Sequence, residues 1–172
     1  MSSVKGPDGA WEKEKAFERL VLEHQTALLR TCYLYLGDRA LAEDAVQETF
    51  VKAYRGMDGF RGESSQRTWL MKIAMNTCRD LHRSGWFRMM DRRYTPDMLP
   101  EACAPFREEE EALVLAVMNL PRKHREVILL HYYQNMTTDE IAQSLGIAQS
   151  SVSGRLKRAR EKLRAELERR DP

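Results

Sequence analysis

The run at 120–167, LPRKHREVILLHYYQNMTTDEIAQSLGIAQSSVSGRLKRAREKLRAEL, constrains this chain more than any other stretch. Thr137-Thr138-Asp139-Glu140 has the form of a capping box, in which a threonine hydroxyl accepts from the backbone amide three residues on and a glutamate reaches back. Ile141, Ala142 and Leu145 then fall on one helical face, and Gly146 can end that helix by taking a positive φ. Ile147 fills the turn. In the next helix Val152, Leu156, Ala159 and Leu163 recur at steps of four, three and four, which makes one buried stripe. The stripe leaves Gln149, Ser150, Ser151, Ser153, Arg155, Lys157 and Arg158 facing outward. Two helices joined at a glycine, the second of them basic, predict a helix-turn-helix whose second helix enters the major groove of duplex DNA. Serine and glutamine are short ligands for base edges or phosphates, and arginine can fork onto guanine or hold a phosphate.

Charge supports this placement. The net charge is only +2, yet residues 155–170 carry eight basic side chains against three acidic ones, and 84–111 carry four against seven. The basic end can find phosphates without the whole chain behaving as a polycation.

Upstream, the reading is helical almost throughout. From about Trp11 to Leu36, apolar or aromatic positions at Phe17, Leu20, Val21, Leu28, Cys32 and Tyr35, with His24, follow a period near 3.6. Gly37 suits a C-cap and Asp38 an N-cap for a helix running to about Arg55. Its expected inward positions are Leu41, Ala45, Val46, Phe50, Ala53 and Tyr54, and its other side shows Glu43, Asp44, Gln47 and Glu48. Residues 56–65, GMDGFRGESS, read as a loop holding one aromatic, Phe60. Another helix is expected from Gln66 to Arg83, with Trp69, Leu70, Ile73, Thr77 and Leu81 on its apolar face. Between 84 and 107 the period fails and Pro96, Pro100 and Pro105 recur, which marks a linker. The acidic run at 108–111 suits a new helix N-terminus. The expected fold is all-α, with two small helical domains joined by a flexible linker and the helix-turn-helix in the second.

The segment that discriminates among helix-turn-helix proteins is 42–84. There the chain carries Ala42-Glu43-Asp44 with Gln47-Glu48 and Phe50, then Phe60-Arg61-Gly62-Glu63-Ser64-Ser65, Thr68-Trp69-Leu70, Ile73-Ala74 and Asn76-Thr77. Leu120-Pro121, Arg125, Val127, Glu140-Ile141-Ala142, Leu145-Gly146 and Arg155-Leu156 with Arg158-Ala159-Arg160 follow in the second half. In these elements, in their order and spacing, the chain resembles the extracytoplasmic-function (ECF) group of bacterial RNA polymerase sigma factors over residues 12–168. The resemblance implies that 12–84 is sigma region 2, 85–107 a linker and 108–170 sigma region 4. It implies core RNA polymerase binding through Asp44, Gln47 and Glu48 on the beta-prime clamp helices. It implies single-strand contacts at the promoter −10 element from Phe60, Arg61, Gly62, Ser64, Ser65, Lys72, Asn76, Arg79 and Arg83, and duplex contacts at −35 from the outward residues of the recognition helix. A further partner is implied, an anti-sigma factor that is commonly membrane-anchored.

The physical reading beside it agrees. A carboxylate-and-amide face needs a complementary partner, and a glycine- and serine-rich loop followed by a helix bearing Arg67, Lys72, Asn76, Arg79 and Arg83 suits single-stranded DNA. Trp69 is read as core. Three features depart from the family pattern. Ala148 stands where a serine N-cap is usual, which weakens that cap by about 1 kcal/mol, and Gly154 inside the recognition helix costs about 1 kcal/mol against alanine. Gln66 also stands where many relatives carry an aromatic residue.

Rival classes find little support. Nothing in 1–83 resembles a receiver or small-molecule domain. Cys78 and His82 stand four apart on one helix, as two metal ligands could, but no third ligand accompanies them, and no phosphate-binding glycine loop or nucleophile elbow occurs. No enzyme, metal, cofactor or small-molecule substrate is expected. The longest apolar run is 127–130, Cys32, Cys78 and Cys103 form no C-x-x-C pair, and the first residues lack an apolar signal core, so a cytoplasmic location is expected.

Overall fold

In a computed structural model the chain is described over residues 7–84 and 108–170. The linker, with Cys103, lies outside them. Helix α1, Pro7–Leu36, starts earlier than its apolar period implies, and Pro7 suits a first helical position because its missing N–H has no partner to lose there. Gly37 ends it at φ 69°, and Asp38 accepts from the Leu41 amide to start α2, Arg39–Gly56. A 3-10 turn, Met57–Gly59, leads into the loop, and α3, Gln66–Arg83, has the bounds the sequence predicts. Ser65 caps α3, its hydroxyl accepting from Thr68 N at 3.1 Å.

Leu20, Leu28, Cys32 and Tyr35 of α1 are buried against Ala42, Ala45 and Ala53 of α2 and Leu70, Met71, Ala74, Met75 and Cys78 of α3. The buried positions of α2 are small, so the three helices approach closely. Leu41, Val46 and Phe50 are half-buried at the edge of this core, while Tyr54, expected inward, is 37 % exposed. It stands one position past Ala53 and packs edge-on against Phe17, with Lys13 over its ring. Trp69 is half-buried against the core, its ring 3.3 Å from where a side chain on Gly56 would begin.

The second unit comprises α4, Glu108–Met118, α5, Arg122–Ile128, a π-helical turn, Leu129–Tyr133, α6, Thr138–Leu145, and α7, Gln149–Arg170. Val114, Leu115, Val117, Val127, Ile128, Leu130, Ile141, Leu145, Val152, Leu156 and Ala159 form its interior. The two units also pack on each other, α1 against α4, α5 and the π turn, and α3 against α6. Among the described residues no helix is long and apolar enough to cross a membrane, and no group of three or more His, Cys, Asp or Glu side chains is arranged to hold a metal.

Candidate nucleic-acid interface

The helix-turn-helix is built as its sequence dictates. Thr137 Oγ1 accepts from Glu140 N at 3.2 Å, and Glu140 Oε2 accepts from Thr137 N at 2.8 Å. The Thr137 amide first, and after it the Thr137 hydroxyl, which also donates to this carboxylate, hold the Glu140 carboxyl below its ordinary pKa. Gly146 closes α6 at φ 65°. Ala148 offers no side-chain cap to α7, and its carbonyl accepts from the Ser151 and Val152 amides. Gln149 spans the turn instead, Nε2 donating to Thr138 Oγ1 at 2.9 Å.

On α7, Gln149, Ser150, Ser151, Ser153, Lys157 and Arg158 are exposed. Ser150, Ser151, Gly154, Arg155 and Arg158 surround a cleft of about 330 Å³. Arg155 departs from the expected outward set. Its side chain is mostly buried, and Nη1 lies 2.9 Å from Glu126 Oε1 on α5.

The loop before α3 forms the second surface. Gly62 takes φ 72°, Phe60 stacks on Trp69 with ring centres 4.9 Å apart, and Ser65 uses its hydroxyl on the helix cap. A cleft of about 390 Å³ opens beside the loop, lined by Phe60, Arg61, Ser64 and Lys72 together with Gln143 and Ser144 of α6. Along α3, Lys72 and Asn76 are exposed, and Arg83 is exposed beside Asp80. Arg79 is withdrawn: Nε and Nη2 bond the two Glu126 carboxylate oxygens at 3.2 and 3.1 Å, and Nη1 donates to Leu145 O. Burial pulls the Arg79 pKa down, but the Glu126 hydrogen bonds and charge prevail and raise it. Cys78 and His82 diverge, Cys78 turning into the core towards Cys32 and His82 accepting from Arg122.

Asp44, Gln47 and Glu48 are exposed together on α2, with Glu48 paired to Lys52 at 2.7 Å. Val51, one turn beyond Gln47, adds an apolar surface, 48 % exposed, to this polar face.

Sequence reasoning missed the residues between the two units. Glu126, its side chain 4 % exposed, takes Arg79 from one unit and Arg155 from its own. Gln134 accepts from Arg67 at 2.8 Å and donates to Thr31, Arg125 donates to the Tyr35 carbonyl at 2.6 Å, and Thr68 donates to Glu140 at 3.3 Å. Burial, and after it the Glu126 charge, pushes the Tyr35 phenol up to about 12. A signal for Glu126 existed: a carboxylate set directly against the apolar run 127–130 needs a cation to be buried there.

Basic side chains thus lie exposed on both helical units, Lys157 and Arg158 on α7 and Lys72 and Arg83 on α3. The family models for "Sigma-70 region 2" and "Sigma-70, region 4" match residues 20–88 and 110–163. The chain is 32% identical to the RNA polymerase sigma-E factor of Streptomyces avermitilis, over 90% of this chain and 87% of that protein. It is 34% identical to the ECF RNA polymerase sigma factor SigL of Mycobacterium tuberculosis, over 93% and 94%. Among solved structures it is similar to CnrH in complex with the cytosolic domain of CnrY, with TM-score 0.67, 31% identity and coverage of 90% and 89%. The chain belongs to the sigma-70 family, in its extracytoplasmic-function group. It is an alternative sigma factor, which binds core RNA polymerase and directs initiation at specific promoters.

Proposed function

We propose that residues 12–84 hold the polymerase core and open the −10 element, that 108–170 read the −35 element, and that 85–107 link them. The observation that carries this division is the separation of two DNA-handling surfaces. Gln149, Ser150, Ser151, Ser153, Lys157 and Arg158 lie exposed on α7, while Lys72 lines the aromatic-walled loop cleft and Asn76 lies exposed one turn further along α3. Short polar side chains and arginine on a helix suit base edges in the major groove. A cleft with Phe60 on one wall and Asn76 nearby suits an extruded base, and Lys72 and Arg83 suit the phosphates of the displaced strand. Arg155 stays on Glu126, neutralising that buried carboxylate, and supports the α7 surface from beneath.

Asp44, Gln47 and Glu48, with Val51 beside them, supply the polymerase contact on the beta-prime clamp helices. RNA synthesis stays with the polymerase, so this chain needs no catalytic group, cofactor or small-molecule substrate, and it acts in the cytoplasm. CnrH was solved with the cytosolic domain of CnrY, and by that likeness an anti-sigma factor with a membrane anchor holds this chain in check.

Run-off transcription with core enzyme tests the reading: a transcript from promoters carrying both elements is expected, and none from any genomic fragment with folded protein overturns it. Asn76→Ala is expected to leave duplex binding intact and to reduce permanganate reactivity of the melted strand. Unchanged reactivity removes Asn76 from the base-reading set.

A further inference from the structure

Val152, Leu156 and Ala159 bury one side of α7, and Gly154, two residues on from Val152, lies about 200° around the axis at about 100° per residue. The point of the recognition helix farthest from its own core is therefore its one residue without a side chain. Ser150, Ser151 and Arg158 flank it at three and four residues' distance, and with Arg155 they surround the cleft of about 330 Å³. Nothing among the described residues requires glycine there. The glycines with positive φ are Gly37, Gly62 and Gly146, so Gly154 keeps an ordinary helical backbone that any residue adopts. A Cβ on it would meet only Arg158 Nη1, at 3.9 Å, an ordinary contact with the far end of a flexible side chain. In a helix interior glycine is less favourable than every residue but proline. A residue that costs the helix and gives the core nothing is explained by what lies outside it.

We infer that Gly154 is a specificity-determining residue of the recognition helix, and that the notch it leaves takes the C5-methyl group of a thymine in the major groove. The inference rests on the proposed reading of the −35 element by α7.

Side-chain length and the supply of hydrogen bonds both favour a methyl group. Ser150 and Ser151 are exposed and carry the shortest hydroxyl side chains, so they reach base edges only from a helix seated deep in the groove. A Cβ at the outermost point of that helix would hold it off. At the floor of the notch the backbone is already hydrogen-bonded within α7, and glycine adds no donor or acceptor of its own. A guanine O6, an adenine N6 or a cytosine N4 pressed there would lose water and gain no partner. The thymine methyl is the apolar substituent of the major-groove edge, and it loses nothing by the same contact. A serine hydroxyl at the rim suits the neighbouring O4 acceptor. Arg158, whose Nη1 borders the notch, suits a phosphate or a guanine beside that thymine.

The test is a mobility shift with the full chain assembled with core RNA polymerase, on a duplex that this holoenzyme selects from a random pool. Each thymine of the upstream element is replaced singly by deoxyuridine, which removes the C5-methyl group and nothing else. In the wild type one such replacement is expected to weaken binding about fourfold, the worth of one buried methyl, and the others less than about twofold. Gly154→Ala fills the notch and folds, because alanine is the better helix former. It is expected to bind the thymine duplex about tenfold more weakly, as for an overfilled contact. At the sensitive position deoxyuridine is then expected to restore affinity, so that the preference for the methyl reverses. A wild type indifferent to every methyl overturns the inference, as does a Gly154→Ala chain whose response to deoxyuridine matches the wild type at every position. A holoenzyme that selects no upstream element counts against the −35 assignment itself, and the notch falls with it. A selected element without methyl dependence removes the notch alone.

Discussion

Phe60 stacks on Trp69 across the loop before α3, their ring planes inclined at 36°. Trp69 is anchored by the core and by the space that Gly56 leaves, so the pair presents Phe60 as a fixed wall of the cleft rather than as a free loop side chain. Base stacking on an aromatic ring contributes about 1–3 kcal/mol. Phe60→Ala is therefore expected to lower open-complex formation at least several-fold while leaving mobility shifts on intact −35 duplex unchanged. Permanganate footprinting against the duplex shift separates the two steps.

Arg158 and Arg155 stand three apart on α7 but serve different ends. Arg158 is exposed, and Arg158→Ala is expected to weaken −35 duplex binding by about 1–3 kcal/mol with little change in melting temperature. Arg155 neutralises a buried carboxylate, so Arg155→Ala is expected to destabilise the fold by about 1–3 kcal/mol, as for a lost hydrogen bond to a charged group. Thermal melts beside mobility shifts distinguish the pair, and equal stability of the two variants would refute the assignment.

The Glu140 carboxyl is held below its ordinary pKa of 4.5 by the Thr137 amide and hydroxyl. A lowered folded-state value means that its contribution is complete above the ordinary value and is lost as pH falls through the folded one. Glu140→Ala is expected to cost ~1 kcal/mol at pH 7, or roughly 2–4 °C in melting temperature. The gap between variant and wild type should close as melts are taken to progressively more acid conditions.

Gly154 lies inside α7, and a methyl group placed on it meets only Arg158 Nη1, at 3.9 Å. Gly154→Ala is expected to stabilise the chain by up to ~1 kcal/mol through helix propensity. Its duplex affinity carries separate information: stabilisation with weakened binding would show that the glycine keeps a place for close DNA approach, and unchanged binding would show that it does not.

Local signals carried most of the fold. The capping box at Thr137 and Glu140, the positive φ of Gly37 and Gly146, and both ends of α3 follow from residues within a few positions of each other. The candidate surfaces on α2 and α7 were legible for the same reason, since an exposed face is what remains when an apolar stripe is subtracted. Tyr54 was misplaced because a large aromatic residue adjoining the stripe is indistinguishable, by period, from one inside it. Arg79 and Arg155 read as free basic residues because their partner is 47 and 29 positions away. No periodicity encodes a partner at that distance: Arg79 meets Glu126 only where the two units pack, and Arg155 meets it only where α5 and α7 of the second unit come together.

The π turn at 129–133 sets the azimuth of Gln134. Its amide bonds the carbonyl of Leu129, five residues back, where an α-helix would close after four. One added residue rotates everything beyond it by about 100° around the helix axis. Gln134 faces Thr31 and Arg67 because of that rotation, and a one-residue deletion within the turn would regularise the helix while swinging the amide away from α1 and α3. Helical phase thus decides whether the two halves recognise each other, much as register decides which side of a strand meets the core.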